Sequence, residues 1–229
     1  MEKYKIIRKI QETPDVITLH FVDKNGKHPS FIAGQYVTVL FPDLNIAEGK
    51  AYSISSAPSD PFLALTIKKI GLYSSELHKL REGDELLISQ PYGFLNPQFN
   101  MPIVMIAGGV GISPLMSIIR DTLEKNPKRE IQLWYSNHAP SDIIFERELN
   151  ELKTIYKQFK IEHFITQDKT ANEKYNQGRI NIAETISRMK PDAKSFYFIC
   201  GRESFAGDMW RALVEAEIDA KNIATETFY

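Results

Sequence analysis

The fold turns on "IVMIAGGVGISPLMS", Ile103 to Ser117. Five apolar residues run without interruption, as expected of a strand buried on both faces. Gly108-Gly109 and Gly111 follow, and then a helix that carries Leu115, Ile118, Ile119 and Leu123 on one stripe. Ser113 suits the N-cap and Pro114 the first helical position. Glycines allow a tight turn and let the backbone approach a ligand with no Cβ in the way. The first N–H groups and the dipole of the helix then face whatever lies above the strand end, a place suited to an anion such as a pyrophosphate. The loop reads G-x-G-x-x-P from Gly109 to Pro114. The next apolar run ends in Tyr135, Ser136 and Asn137, without the carboxylate that clamps a ribose. Taken alone, the loop fits a ligand-free strand-to-helix turn as well as it fits dinucleotide binding.

Working outward, "EIQLWYS", "IEHFIT" and "FYFICG" read as three further strands separated by helical stretches, the pattern of a parallel sheet covered on both sides. Upstream the rhythm is different. From Tyr4 to about Phe94 short strands follow one another with almost no helix, which predicts a small barrel or sandwich. "DVITLHFV" alternates Ile17, Leu19 and Phe21 against Val16, Thr18 and His20, a half-buried strand, and Asn25-Gly26 after it favours a hairpin turn. The one helix expected here is "SSELHKLREGD", with Ser74 or Ser75 as N-cap and Gly83 beyond its end. The junction falls in Phe94–Pro102, rich in proline and asparagine, so residues 1–98 and 99–229 are expected to form two domains.

Composition narrows the function classes. A formal net charge of −1 over 229 residues gives no general attraction to nucleic acid or anionic membrane. Cys200 is the single cysteine, which excludes an internal disulfide and any zinc or iron–sulfur site built from several thiolates. The charged N-terminus lacks the apolar core of a secretion signal, and the most apolar run is too short for a bilayer, so cytoplasmic residence without membrane insertion is expected.

A second stretch, "KAYSISSAP" from Lys50 to Pro58, ends a predicted strand in a cation, a tyrosine and a run of hydroxyls. With "FIAGQYV", "GLYSSELH", "GDELLISQPYGFL", "AGGVGISPLMS", "FYFICGRESF" and "ETFY" it stands in an order that resembles the ferredoxin–NADP reductase-like flavoproteins over essentially the whole chain. The resemblance implies a Greek-key antiparallel barrel that binds flavin and an α/β domain that binds NAD(P)H. Lys50, Ala51, Tyr52, Ser53 and Ile54 correspond to the family's R-x-Y-S motif and the hydrophobic residue after it, and Gly71, Leu72, Tyr73, Ser74 and Ser75 to its second flavin motif. By the same resemblance Lys50 neutralises the FAD pyrophosphate, Tyr52 packs on the ring or sugar, and Ser53 offers a hydroxyl near the flavin N5. The amides of Leu72–Ser75 serve the phosphates, Ile67 joins the flavin set, and Phe228 or Tyr229 covers the flavin face. Gly108, Gly109, Val110, Gly111, Ile112, Ser113, Pro114, Cys200 and Gly201 form the nicotinamide-nucleotide set. Cys200 flanks the nicotinamide, and Glu226 lies near the reacting atoms. Lysine at position 50 departs from the family's arginine. It keeps the charge but loses the planar fork that grips phosphate at two points, so weaker flavin binding is expected.

The implied activity is hydride transfer from NADH or NADPH to FAD, with electrons passed to a separate redox protein (ferredoxin, flavodoxin or oxygenase component) or to a small molecule. The lack of cations after "LWYSN" leans toward NADH. Two alternatives stand beside it: a reductase of free flavin, and a nucleotide-binding module without catalysis. The scattered histidines, Trp134 and Trp210 are read as structural.

Overall fold

The computed structural model describes residues 1–41, 49–93, 101–168 and 174–228. The chain divides into two compact units, Met1–Asn96 with Ser113–Asp121, and Pro97–Ile112 with Thr122–Tyr229. The boundary expected at residues 98 and 99 lies outside the described residues.

The first unit holds six antiparallel strands: β1 (Glu2–Thr13), β2 (Val16–Val22), β3 (Tyr36–Leu40), β4 (Lys50–Ser53), β5 (Leu63–Lys68) and β6 (Glu85–Ile88), in the order β4-β3-β6-β1-β2-β5. The two outer strands meet where Ile54, just past β4, bridges to Leu65 of β5, and the sheet closes on itself as a barrel. Closure leaves no long exposed edge. Tyr4, Ile6, Leu19, Phe21, Val37, Val39, Leu65 and Ile88 are among the side chains of its core.

Two local expectations are corrected here. β2 is buried on both faces, not one: Val16, Thr18 and His20 are as enclosed as Ile17, Leu19 and Phe21. Its polar members are matched rather than solvated. Thr18 Oγ1 meets Thr66 Oγ1 at 2.9 Å, Thr66 donates on to Ser55 Oγ, and the His20 ring stacks on Phe62. Asn25-Gly26 does form a turn, with Gly26 at φ +73° and its N–H on the Asp23 carbonyl, but β3 pairs with β4 and β6 and not with β2. The tight hairpin lies instead at Pro14-Asp15, between β1 and β2.

In the second unit six parallel strands, β7 (Ile103–Gly108), β8 (Ile131–Asn137), β9 (Phe159–Ile165), β10 (Asn176–Gln177), β11 (Phe196–Arg202) and β12 (Ile223–Phe228), run in the order β10-β9-β8-β7-β11-β12. Helices α3 (Glu146–Ile155), α4 (Ile182–Met189) and α5 (Glu203–Glu215) belong to this unit, whereas α2 (Ile112–Lys125), which follows β7, has its Ser113–Asp121 stretch grouped with the barrel unit and its α1 (Leu72–Lys79). β7 is central. The chain leaves it toward β8 on one side and later returns to β11 on the other, so the order reverses between β7 and β11. In open α/β sheets ligands bind beyond the carboxyl ends of the strands at such a reversal. Among the described residues no helix is long and apolar enough to cross a membrane.

Candidate functional site

At the carboxyl end of β7 the glycine loop makes a single 3-10 turn, Gly109–Gly111, before α2 begins. Gly111 is the N-cap of α2, which makes Ser113 its second residue and Pro114 its third, against the expected N-cap and first position. Proline remains harmless there because the first turn has no intrahelical acceptor for its missing N–H.

The glycines turn out to do different things. A Cβ on Gly111 would stand 2.2 Å from the Cys200 carbonyl oxygen, and one on Gly108 would press the Phe205 ring at 3.0 Å. Gly201, at the end of β11, faces the same ring at 2.7 Å. These three therefore serve the packing of the loop against β11 and α5, where the sequence alone pointed to approach by a ligand. Gly109 is the exception. It sits at φ +52°, and nothing lies within 4 Å of the position its Cβ would take. Its carbonyl is held from below: the Tyr135 hydroxyl donates to it at 3.0 Å, and the Ile112 N–H donates to it as well.

Cys200 is fully buried, with burial first and Glu226 second pushing its thiol well above the ordinary range. It stands as a neutral SH in register with Ala107 of β7 and Glu226 of β12. The C-terminal acid-plus-aromatic stretch is a strand of the sheet: Glu226 is half-buried, and Phe228 pairs with Arg202. Tyr229 lies outside the described residues.

In the barrel unit β4 sits at one end of the strand order, with Tyr52 opposite Val37 and Ser53 opposite Tyr36. Lys50 and Ala51 are exposed, Tyr52 is half-buried, and Ser53 and Ile54 are buried. Burial first, and then Tyr73, raises the Tyr52 phenol above its usual range. The hydroxyl run that follows is tied down. Ser55 Oγ donates to Ala64 O, the Ser56 carbonyl accepts from Ser117 Oγ at 2.6 Å, and the Ser55 carbonyl accepts from Arg120.

α1 begins at Leu72 with Gly71, not Ser74 or Ser75, as N-cap. Ser74 folds back instead, its Oγ accepting from the N–H groups of Ile70 and Gly71 at 2.9 and 3.0 Å. That hydroxyl holds the turn in shape and leaves the first-turn amides of Leu72, Tyr73 and Ser74 pointing off the helix end. Gly71 has nothing within 4 Å of its Cβ position. Gly26, Gly83 and Gly178 are equally open, but in turns that no helix follows directly. The Tyr73 side chain is not available to a ligand: its hydroxyl donates to Val39 O at 2.5 Å and accepts from the Phe41 N–H. Ile67 likewise puts its side chain in the barrel core.

Residues 105–211 match the oxidoreductase NAD-binding domain family. Flavohemoprotein A of Dictyostelium discoideum is 29% identical over 245 residues, a match covering 99% of this chain and 60% of that protein. The glycine betaine monooxygenase reductase subunit of Chromohalobacter salexigens is 30% identical, covering 98% and 63%. Among solved structures, the FAD/NAD-binding domain of nitric oxide dioxygenase from Vibrio cholerae superposes with a TM-score of 0.86 at 22% identity, over 99% of this chain and 98% of that one. Ferredoxin-NADP+ reductase from Plasmodium falciparum gives 0.79 at 22% identity, over 99% and 95%. The chain has the two-domain fold of these structures. It spans about 60% of the length of the curated relatives it matches.

Lys50–Ile54 and Gly71–Ser75 fall in the first unit together with Ser113 and Pro114, and Gly108–Ile112, Cys200 and Gly201 in the second. Sequence reasoning missed Tyr135 as a member of the glycine-loop site. An aromatic residue two positions before the end of a buried strand reads as core, and only the fold shows where its hydroxyl goes.

Proposed function

We propose that the chain is an FAD-dependent NAD(P)H oxidoreductase that passes electrons to a separate acceptor, a ferredoxin-, flavodoxin- or oxygenase-type protein in the cytoplasm. The observation that carries this reading is the Gly109 turn. Its Gly109 Cβ side is open, it lies at the reversal of strand order above β7, and it falls within the stretch that matches an NAD-binding domain. The barrel fits the second cofactor through an open glycine and a capped helix start at Gly71–Ser74, a half-buried tyrosine and an exposed lysine. Lys50 would offset phosphate charge, the α1 amides would donate to phosphate oxygens, Tyr52 would supply a flat apolar surface, and Ser53 a hydroxyl. When bound, FAD accepts hydride from NAD(P)H and releases electrons singly or in pairs. The chain's own task is to orient the two nucleotides and exclude water. No general base is required, and the neutral Cys200 is consistent with a packing role beside the nicotinamide position.

NADH is the preferred donor in this reading. Near the end of β8 the Lys174 ammonium is held by Glu146 at 3.0 Å and Arg147 by Glu151, while the exposed His138 ring bonds Thr166. The test is purification followed by addition of FAD and anaerobic titration with each nucleotide. Bleaching of flavin absorbance by NADH, with NADPH at least about tenfold less effective, is the expected result. Equal turnover with NADPH overturns the donor preference. A protein that binds no FAD overturns the enzyme reading in favour of a nucleotide-binding module. Rapid loss of FAD on dilution, with free flavin turned over as substrate, favours the free-flavin reductase.

A further inference from the structure

We infer that Tyr135 is a positioning residue for the pyridine nucleotide, locking two loops into one site through a single hydroxyl. This deepens the nucleotide-site reading given above and rests on it. Tyr135 lies in β8 opposite Ala107 of β7 and His163 of β9, and its side chain is completely buried. A phenol hydroxyl carries one hydrogen and accepts through its lone pairs. Here it donates to the Gly109 carbonyl at 3.0 Å and accepts from the Ile144 N–H at 3.4 Å. The first contact grips the loop between β7 and α2. The second grips the connection between β8 and α3, just before Phe145, which caps α3 in the left-handed region at φ +60°. Both loops leave the carboxyl ends of neighbouring parallel strands, the edge where an α/β sheet takes its ligand.

The stereochemical consequence lies in the peptide that follows Gly109. In a planar trans peptide the carbonyl and the next N–H point in opposite directions. Drawing the Gly109 carbonyl down onto the phenol therefore sets the direction of the Val110 N–H away from the sheet. Gly109 itself holds a positive φ of +52°, and its Cβ side is open. Without the hydroxyl the Gly109 carbonyl keeps only the Ile112 N–H of these two donors and its peptide is less firmly held, and the Ile144 N–H loses its buried acceptor.

The FAD-loaded wild type and Tyr135→Phe are compared in NADH oxidation with ferricyanide as acceptor. The variant is expected to raise KM for NADH and Ki for ADP about three- to tenfold while kcat stays within about twofold. Its flavin spectrum should be unchanged, because the flavin site belongs to the other unit. Unchanged KM and Ki overturn the assignment, as does a fall in kcat that tracks a lowered melting temperature. Hydrogen exchange on the wild type alone gives an independent answer that needs neither activity nor a folded variant. ADP is expected to slow exchange at 109–112 and at 138–144 together, and protection confined to 109–112, or absent from both, overturns it. A wild type that oxidises neither nucleotide yet shows the joint protection sinks the enzyme reading and leaves this one standing.

Discussion

Gly109 and Gly111 are two residues apart in one loop, yet a methyl group added to each meets different obstacles. At Gly111 the new Cβ would stand 2.2 Å from the Cys200 carbonyl and 2.8 Å from the Gly201 nitrogen, both backbone atoms that cannot swing aside. Gly111→Ala must push β11 and the loop apart, and overpacking of this kind typically costs about 1–3 kcal/mol or more. Gly109→Ala meets no atom, and only the left-handed φ of +52° opposes it, at about 1 kcal/mol. Urea unfolding should therefore rank Gly111→Ala as the more damaging by at least about 1 kcal/mol. The nucleotide affinities should rank the other way for any variant that still folds, because the proposed nucleotide site lies on the open side of Gly109. Equal destabilisation by the two variants would show that the close approach of the loop to β11 is not what demands glycine. The sequence carries the glycines but not this division of labour, since a glycine looks the same whether it makes room for a ligand or for a neighbouring carbonyl. Ser74 is ambiguous for the same reason. Its hydroxyl near a helix start reads as an N-cap, and only the backbone shows it reaching back to Ile70 and Gly71 from the third helical position.

Among the elements, those with an unbroken pattern were legible and those interrupted by irregularity were not. β7 and α2 are plain from the apolar run and the stripe after it. β1 is not, although it has 12 residues, because two register shifts, after Ile6 and after Gln11, break its alternation and mix buried with charged positions. β10 has two residues and β12 borders only β11, so neither carries much of a burial signature. β9 holds a feature with a measurable consequence. His163 is buried between the rings of Tyr135 and Tyr175, its Nδ1 has no hydrogen-bond partner among the described residues, and burial takes its pKa from 6.5 down to about 4. Glu146 pulls the other way, while Lys174 and Lys153 add to the fall. The unfolded chain therefore binds a proton between about pH 6.5 and 4 that the folded chain refuses. The contribution is fully present above pH 6.5 and is lost as pH falls toward 4, to a limit of about 3 kcal/mol. Unfolding free energies from urea titrations at pH 7.5 and 5.0 should differ by most of that amount in the wild type. In His163→Leu the difference should shrink markedly, whereas an unchanged difference would assign the acid sensitivity to other groups.

For the whole molecule, the two units have separate cores, one around Tyr4, Leu19 and Phe21 and the other around Val104, Ile106 and Trp134. The first carries Lys50–Ile54 and Gly71–Ser75 of the proposed flavin set and the second Gly108–Ile112, Cys200 and Gly201 of the proposed nicotinamide set, which gives ligand stabilisation a specific form. The cation placed on the FAD phosphates is an exposed lysine on an outer strand, a point charge without the paired donors of a guanidinium. Flavin is accordingly expected to dissociate during gel filtration, and the flavin-free protein should remain folded because the barrel interior is filled by its own side chains. Adding FAD to about 100 times its dissociation constant stabilises the state that binds it by about 2.7 kcal/mol. For a chain of this size each kcal/mol moves the melting temperature by roughly 2–4 °C, so the expected rise is about 5–10 °C. Lys50→Arg should reach the same rise at a lower FAD concentration, since the planar fork adds a second phosphate contact, and Lys50→Ala should need a higher one. Scanning calorimetry over an FAD series on the three proteins decides it. A midpoint indifferent to FAD would remove the barrel as a flavin site, and identical concentration dependence in all three would move the phosphate cation away from residue 50.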